Sequence, residues 1–200
     1  MPAPEAAASE PVAAIALRSC AVDIVEIAPL RAGAAQMQSL IEARGSRLPP
    51  VGHVAATADR WVLCVRPGRW LLLESRREPG MSAARWESDC TATATAVDLT
   101  SAFRVLDVAG PAAREVLARG CRLDLHPAAF PAGRAARTIM AQVPVILAAR
   151  SLGVVLLTPA TTARHFSEWL AATAGPFGLA PRADLATFDL FGQSPGALEL

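Results

Sequence analysis

The chain of 200 residues contains no lysine, no asparagine and no tyrosine, so all 19 of its basic residues are arginine. The absence of lysine excludes a Walker-type phosphate loop and a Schiff-base lysine, because both chemistries depend on the ammonium group. The absence of asparagine excludes an N-glycosylation site, and the absence of tyrosine excludes a tyrosine general acid. The catalytic chemistry open to this chain is therefore narrow.

The chain also has little net charge, few cysteines and no long apolar run. A net charge of +1, from 19 basic and 18 acidic residues, indicates no nucleic-acid partner and no anionic membrane surface. The four cysteines lie dozens of residues apart without a C-x-x-C pair, which argues against a zinc ribbon or a redox motif and favours reduced thiols in a cytoplasm. The longest apolar runs, such as residues 143–149, are far shorter than the roughly 20 residues that span a bilayer. We expect a soluble, cytoplasmic protein.

Apolar residues are abundant instead. The hydrophobic fraction is 52%, and the 13 glycines raise the apolar share to about 58%, above the roughly 45–50% that is usual for globular domains. Permanent subunit interfaces resemble a domain core cut in half. A chain that is too apolar for its own surface is therefore typical of an obligate subunit.

Hydrophobic periodicity predicts a strand, a helix and a hairpin twice, followed by a helix and a strand in the first half and by a strand and a helix in the second. This is the split βαβ, ferredoxin-like pattern, so we predict an α+β fold of two tandem halves, 15–100 and 101–180. An Ala/Pro-rich disordered tail, 1–14, and a C-terminal tail, 181–200, flank them. The predicted elements are strands 22–28 and 95–99, helices 34–44 and 79–90 and hairpin 61–73, then strands 103–109, 138–142, 145–149 and 152–158 and helices 111–119 and 162–174.

The helix after the strand 103–109 has recognisable ends. Pro111 suits the first helical position, Glu115 faces Arg119 one turn later, and Gly120 suits a left-handed cap. The tryptophans of the chain stand at strand and amphipathic-helix positions, where core or interface packing is commoner than stacking on a pterin or flavin.

Few residues offer site chemistry. The three histidines are isolated, and only His126 has a nearby second ligand, Asp124; the pair is a metal or acid–base candidate, but loop-shaping hydrogen bonds explain it better. Cys121 follows the C-terminus of a predicted helix, whereas a catalytic thiolate is stabilised at a helix N-terminus. Asp98 and Asp107 are candidates for holding a folate pterin, although pairing with Arg104 or exposure to solvent is the more ordinary interpretation. No serine can be paired with an acid and a histidine by sequence, and G-x-G-x-x-G does not occur.

Residues 104–147 combine several specific motifs. A helix is predicted to begin at Gly110-Pro111 and to end at Arg119-Gly120-Cys121. After it come the run Leu123-Asp124-Leu125-His126-Pro127 and the turn Phe130-Pro131-Ala132-Gly133. In this combination the stretch resembles the γ subunit of heterotetrameric sarcosine oxidase. The resemblance covers most of residues 18–178 and implies a fold similar to the folate-binding domain of the glycine-cleavage T-protein.

The resemblance implies a noncatalytic subunit. Such complexes demethylate sarcosine to glycine and form 5,10-methylenetetrahydrofolate and hydrogen peroxide, with FAD, FMN, NAD and tetrahydrofolate in the α and β subunits and zinc in the δ subunit. This chain would then contain no catalytic residue, cofactor or metal, and would bind the α, β and δ subunits. Ten motif residues become structural or interface candidates: Gly110, Pro111, Gly120, Cys121, Asp124, His126, Pro127, Phe130, Pro131 and Gly133.

Two alternatives remain. A stand-alone folate-binding protein or one-carbon transferase of the T-protein family would need a pterin-holding acid and a complete pocket. The equivalent subunit of a related N-methyl amino acid dehydrogenase would keep the subunit role and change only the substrate, which other chains would contact.

Overall fold

The structure is a computed structural model and describes residues 14–179 and 190–191. The first half of the chain contains β1 (Ala16–Cys20), β2 (Val22–Pro29), α1 (Ala34–Ala43), β3 (His53–Ala56), β4 (Arg60–Arg66), β5 (Arg69–Ser75), α2 (Met81–Asp89) and β6 (Ala94–Asp98). The second contains β7 (Phe103–Ala109), α3 (Ala113–Ala118), β8 (Ala135–Met140), β9 (Val143–Arg150), β10 (Gly153–Pro159) and α4 (Ala163–Ala174), with a 3₁₀ turn over Gly175–Phe177.

The strands form two antiparallel sheets of five strands each, in the orders β3-β4-β5-β2-β6 and β1-β7-β10-β9-β8. Within each sheet, four strands have the ferredoxin-like order, so the predicted α+β class is confirmed. The halves are not strictly tandem, however. β1 lies in the range expected for the first half but pairs with β7 from Ala16↔Ala109 to Cys20↔Val105, and so it completes the second sheet.

The two sheets pack face to face, and each is covered on its outer face by two helices. Successive residues of a strand point to opposite faces. Val155 and Leu157 therefore lie in the core between the sheets, whereas Val154 and Leu156 pack with Phe166 of α4. The order of layers is helices, sheet, sheet, helices. Each fully buried leucine stabilises the fold by roughly 1.5–3 kcal/mol.

Several predicted boundaries change in the structure. The predicted hairpin is present as β4 and β5, and Gly68 in its turn has a positive φ of 68°, a conformation that glycine adopts readily. Helix α3 covers only Ala113–Ala118, so Pro111 lies in the turn before the helix and not at its first position. The short strands β1 and β3 had not been predicted, because neither contains a clear alternating run.

The left-handed cap predicted at Gly120 is wrong, since Gly120 is not among the residues with positive φ. Packing is the reason that this position needs a glycine. A Cβ atom on this residue would lie 2.4 Å from Cζ2 of Trp169, a separation that real Cβ contacts do not show. The lack of a side chain at Gly120 therefore allows the Trp169 ring of α4 to contact the backbone at the end of α3.

A buried ion cluster ties α2 to the first sheet. Glu74 is 3% exposed and accepts hydrogen bonds from Arg60 Nε at 2.6 Å, Arg85 at 2.7 Å and Trp86 Nε1 at 3.2 Å. The Arg60 guanidinium lies 5.0 Å from the centre of the Trp86 ring, which is fully buried. The carboxylate thus neutralises a guanidinium that the fold has removed from water.

Replacing Glu74 by glutamine should lower the free energy of unfolding by about 3 kcal/mol, because Arg60 would keep a buried charge without its counterion. Urea denaturation of both proteins measures the difference. The matched control is Glu87→Gln on the exposed face of α2, for which we expect a change within about 0.5 kcal/mol. Equal stabilities of the two variants would contradict the role given to Glu74.

Replacing Gly120 by alanine should destabilise the protein by about 1–3 kcal/mol, since the added methyl group overlaps the Trp169 ring. Thermal unfolding measures the loss, and a double variant with Trp169→Leu should recover part of it. Gly175→Ala is the control, because a Cβ built there meets nothing within 4 Å apart from the adjoining backbone. A Gly120→Ala protein as stable as the control would contradict the packing explanation.

Candidate functional site

Residues 120–134, called the motif loop below, connect α3 to β8 and contain most of the candidate residues. The backbone N–H of His126 donates to Asp124 Oδ1 at 2.8 Å, and the N–H of Ala128 donates to His126 Nδ1 at 3.2 Å. The carbonyl of His126 accepts the N–H of Phe130 at 2.8 Å. Both polar side chains therefore bind backbone of their own loop, as Asx-type turns do. In the described part of the chain, no group of three His, Cys, Asp or Glu residues is placed to hold a metal ion.

Arg114 holds this loop from outside it. One terminal nitrogen of its guanidinium donates to the carbonyls of Leu125 at 2.7 Å and Phe130 at 2.8 Å. Leu125 and Phe130 are themselves buried in the core beneath α3 and α4. Sequence reasoning missed Arg114, because an arginine in a helix is ordinary and its partners lie 11 and 16 residues further along the chain.

The turn between β7 and α3 depends on Gly110. Its φ is +108°, and a Cβ atom there would lie 2.5 Å from the carbonyl oxygen of Ala14. A side chain is thus excluded both by backbone conformation and by close approach. The N–H of Gly110 donates to the carbonyl of Leu152 at 3.2 Å, which ties this turn to the one between β9 and β10.

Gly133 joins the two sheets. The residue has a φ of +82° and lies in a turn that is closed by the N–H of Arg134, which donates to the carbonyl of Pro131 at 3.2 Å. The N–H of Gly133 donates to the carbonyl of Ala149 in the second sheet at 2.9 Å, while its carbonyl accepts the N–H of Val54 in the first sheet at 2.8 Å. The end of the motif loop is therefore the seam between the halves.

His53, which seemed isolated in sequence, lies at the same seam. Its Nε2 is 2.9 Å from a terminal nitrogen of Arg134, and His53 and Arg134 form an antiparallel bridge. The two residues are 81 positions apart, so no local pattern could have paired them.

Cys121 is half-buried, and its backbone forms an isolated antiparallel β-bridge with Met140 of β8. Burial raises the pKa of its thiol, and hydrogen bonds with Leu123 and Thr138 only partly offset this. A thiol with a raised pKa stays protonated at neutral pH, where it is a poor nucleophile. Burial also raises the pKa of Cys20, to about 12. Both residues are free cysteines.

The two strand aspartates occupy different settings. Asp98 is exposed and accepts the N–H of Thr100 at 2.8 Å. Asp107 is fully buried, and its partner is Arg150, which donates to both carboxylate oxygens at 2.8 and 2.7 Å. Arg104, the partner considered from sequence, lies three residues away on the same strand and so points to the opposite face. Burial raises the pKa of the Asp107 carboxyl, and the Arg150 guanidinium opposes that effect.

Three motif residues meet at one cavity of about 650 Å³. Gly110, Pro111 and Pro127 line it together with the turn at Leu152, whereas Gly120 and Cys121 do not. The charged residues of the lining are Arg18, Arg114 and Arg150. The cavity therefore offers positive charge and guanidinium donors, which suit an anionic group.

Comparisons with known proteins agree on one family. A model described as the sarcosine oxidase, gamma subunit family matches residues 31–174. Sarcosine oxidase subunit gamma of Arthrobacter sp. is 35% identical over 117 residues, 58% of this chain and 57% of that protein. The same subunit of Corynebacterium sp. (strain P-1) is 30% identical over 154 residues, 76% of this chain and 75% of that protein. The chain thus spans little more than half the length of the Arthrobacter relative and three quarters of the second.

Solved structures resemble this fold as well. A chain of heterotetrameric sarcosine oxidase from Corynebacterium sp. U-96, in complex with pyrrole 2-carboxylate, matches with a TM-score of 0.73 and 28% identity over 84% of this chain and 87% of its own. Glycine cleavage system aminomethyltransferase T from Bartonella henselae matches with a TM-score of 0.59 and 14% identity, over 84% of this chain and 47% of its own, which shows likeness of fold alone. Since the family model covers well over half of the sequence, the chain belongs to the sarcosine oxidase, gamma subunit family.

Proposed function

We propose that this protein is the noncatalytic γ subunit of a cytoplasmic, heterotetrameric sarcosine oxidase, in which it provides packing surface for the other chains. Family membership and the likeness to a chain of a heterotetrameric enzyme support the assembly. The observation that carries the noncatalytic role is the use of Asp124 and His126. Both side chains are engaged by backbone of their own loop, so they shape the loop.

In this proposal the reaction belongs to the other subunits. The complex demethylates sarcosine oxidatively to glycine and forms 5,10-methylenetetrahydrofolate and hydrogen peroxide. FAD, FMN, NAD and tetrahydrofolate are assigned to the α and β subunits and zinc to the δ subunit. No step is assigned to residues of this chain, whose contribution is to hold the partners in position.

Exposed apolar side chains support a subunit role. An apolar residue left in water is normal when it stands alone, but patches that border a cavity or a sheet edge mark interaction surfaces. The large apolar side chains with the greatest exposure are Leu30, Val51, Met81, Val97, Ile139 and Leu152, from 44% to 65% exposed. Of these, Leu152 is exposed most and lies beside the exposed Pro111 and Pro127 at the cavity.

The protein expressed alone should self-associate or aggregate, because an obligate interface would be left in water. Sedimentation velocity over a range of concentrations measures this, and co-expression with the other subunits should suppress it. A well-behaved monomer at high concentration that also binds tetrahydrofolate saturably would contradict the subunit role and support the stand-alone folate-binding alternative.

Replacing His126 by alanine should reduce the yield of assembled complex and leave turnover per bound flavin within about twofold of normal. The reason is that the variant loses the acceptor of the Ala128 N–H, and with it part of the loop geometry, but no reacting group. Native gels and sarcosine-dependent peroxide formation measure the two quantities.

The matched control is His165→Ala, since His165 is exposed on α4. We expect it to change neither quantity. Collapse of turnover in an intact complex of the His126→Ala variant would show that this residue takes part in the reaction.

A further inference from the structure

The cavity at Gly110, Pro111 and Pro127 is a feature that the packing role leaves unexplained. Its volume of about 650 Å³ lies within the range of pockets that bury a small-molecule ligand, so it has room for side chains of a partner. It opens between the β7–α3 turn, the first turn of α3, the motif loop and the β9–β10 turn. The hydrogen bond from Gly110 to Leu152 fixes two of these walls relative to each other.

The charge of the cavity is positive. No aspartate or glutamate is among its lining residues, all of which lie in the described part of the chain. Arg150 shares its charge with the buried Asp107, and Arg18 also acts on that carboxylate. Arg150 and Arg18 are thus engaged by other groups of the chain, and Arg114 is the guanidinium that the cavity can offer to a ligand.

Arg114 is the group best placed to meet an anion. It is half-buried, and its two hydrogen bonds to the motif loop leave from a single terminal nitrogen. No ion pair with a described carboxylate is formed by this guanidinium. Burial lowers the pKa of Arg114, so its charge carries a desolvation cost. An arriving carboxylate would offset that cost through charge-assisted hydrogen bonds.

The rim of the cavity is apolar and exposed. Leu152 is 65% exposed, the highest value among the large apolar side chains, and Pro111 and Pro127 are exposed beside it. A charged floor with an apolar rim suits an acidic side chain flanked by apolar residues. It matches the general anatomy of an interface, in which a desolvated arginine anchor is surrounded by contacts that exclude water.

We infer that this cavity is the docking site for an acidic segment of a partner subunit, whose Asp or Glu side chain pairs with Arg114. The inference rests on the proposed function, because it assigns one contact within the proposed complex. It explains why Gly110, Pro111 and Pro127 border the same recess, and it gives Arg114 two tasks: the guanidinium holds the motif loop and presents its remaining donors to the partner.

A photo-crosslinking residue in place of Leu152, in the assembled complex, tests which molecule covers the rim. We expect an adduct with a partner subunit, and sequencing of the crosslinked peptide should find Asp or Glu within a few residues. The control position is Met81, which is 58% exposed but lies on α2 in the opposite helix layer. An adduct with this chain's own termini, an adduct with a second copy, or no adduct in an intact complex would each overturn the inference.

Replacing Arg114 by glutamine tests the charge. The uncharged amide reaches only to the position of the arginine Nε, so the hydrogen bonds to the Leu125 and Phe130 carbonyls weaken. We expect a modestly lower melting temperature but at least tenfold weaker binding to the partner, with a smaller salt dependence. Arg137→Gln, on the exposed face of β8, is the matched control. Should Arg114→Gln unfold the loop, Arg18→Gln probes the same cavity and is expected to weaken binding in the same direction.

The outcomes separate the two proposals. If the wild-type chain fails to assemble with its co-expressed partners, the proposed function falls and this inference with it. If the wild-type chain assembles, and the folded variants of Arg114 and Arg18 bind as tightly and with the same salt dependence, only the docking site is overturned.

Discussion

Burial of both faces of the central strands is the constraint on which the rest of the molecule depends. Two sheets meet face to face, and helices cover each outer face, so successive positions must be apolar, as in Leu71-Leu72-Leu73 and residues 154–157. Within the described residues, the charged groups buried in these layers have partners of opposite charge, as Glu74 has Arg60 and Arg85 and Asp107 has Arg150. Polar side chains that could contact a ligand or a partner are therefore found at the ends of strands and in the loops.

The motif loop is such a loop, and its fixed conformation suits it to bind a partner subunit. Its polar groups bind backbone, Arg114 fixes it to α3, and Gly133 connects it to both sheets. A loop held at so many points presents a fixed shape, and a fixed shape reduces the entropy lost when a partner binds. The same arrangement places a desolvated guanidinium beside an exposed apolar rim, so rigidity and recognition come from one set of residues.

Sequence periodicity predicted the fold class and most elements, because alternation and helical spacing are local properties. It did not predict that β1 would complete the second sheet, since pairing with β7 joins residues about 90 positions apart and leaves no local signal. Pairing of Asp107 with Arg150, and of Arg114 with two distant carbonyls, was missed for the same reason. Gly120 was given a conformational role when its role is steric, which only the position of Trp169 reveals.

The most direct test of the central claim, that this chain works as a subunit, is its affinity purification from its native host. Native mass and an absorption spectrum are then recorded for whatever remains bound. The account predicts a complex with larger chains and the yellow absorption of flavin, although nothing in this chain is assigned to hold one. A colourless protein with the mass of the single chain would contradict it.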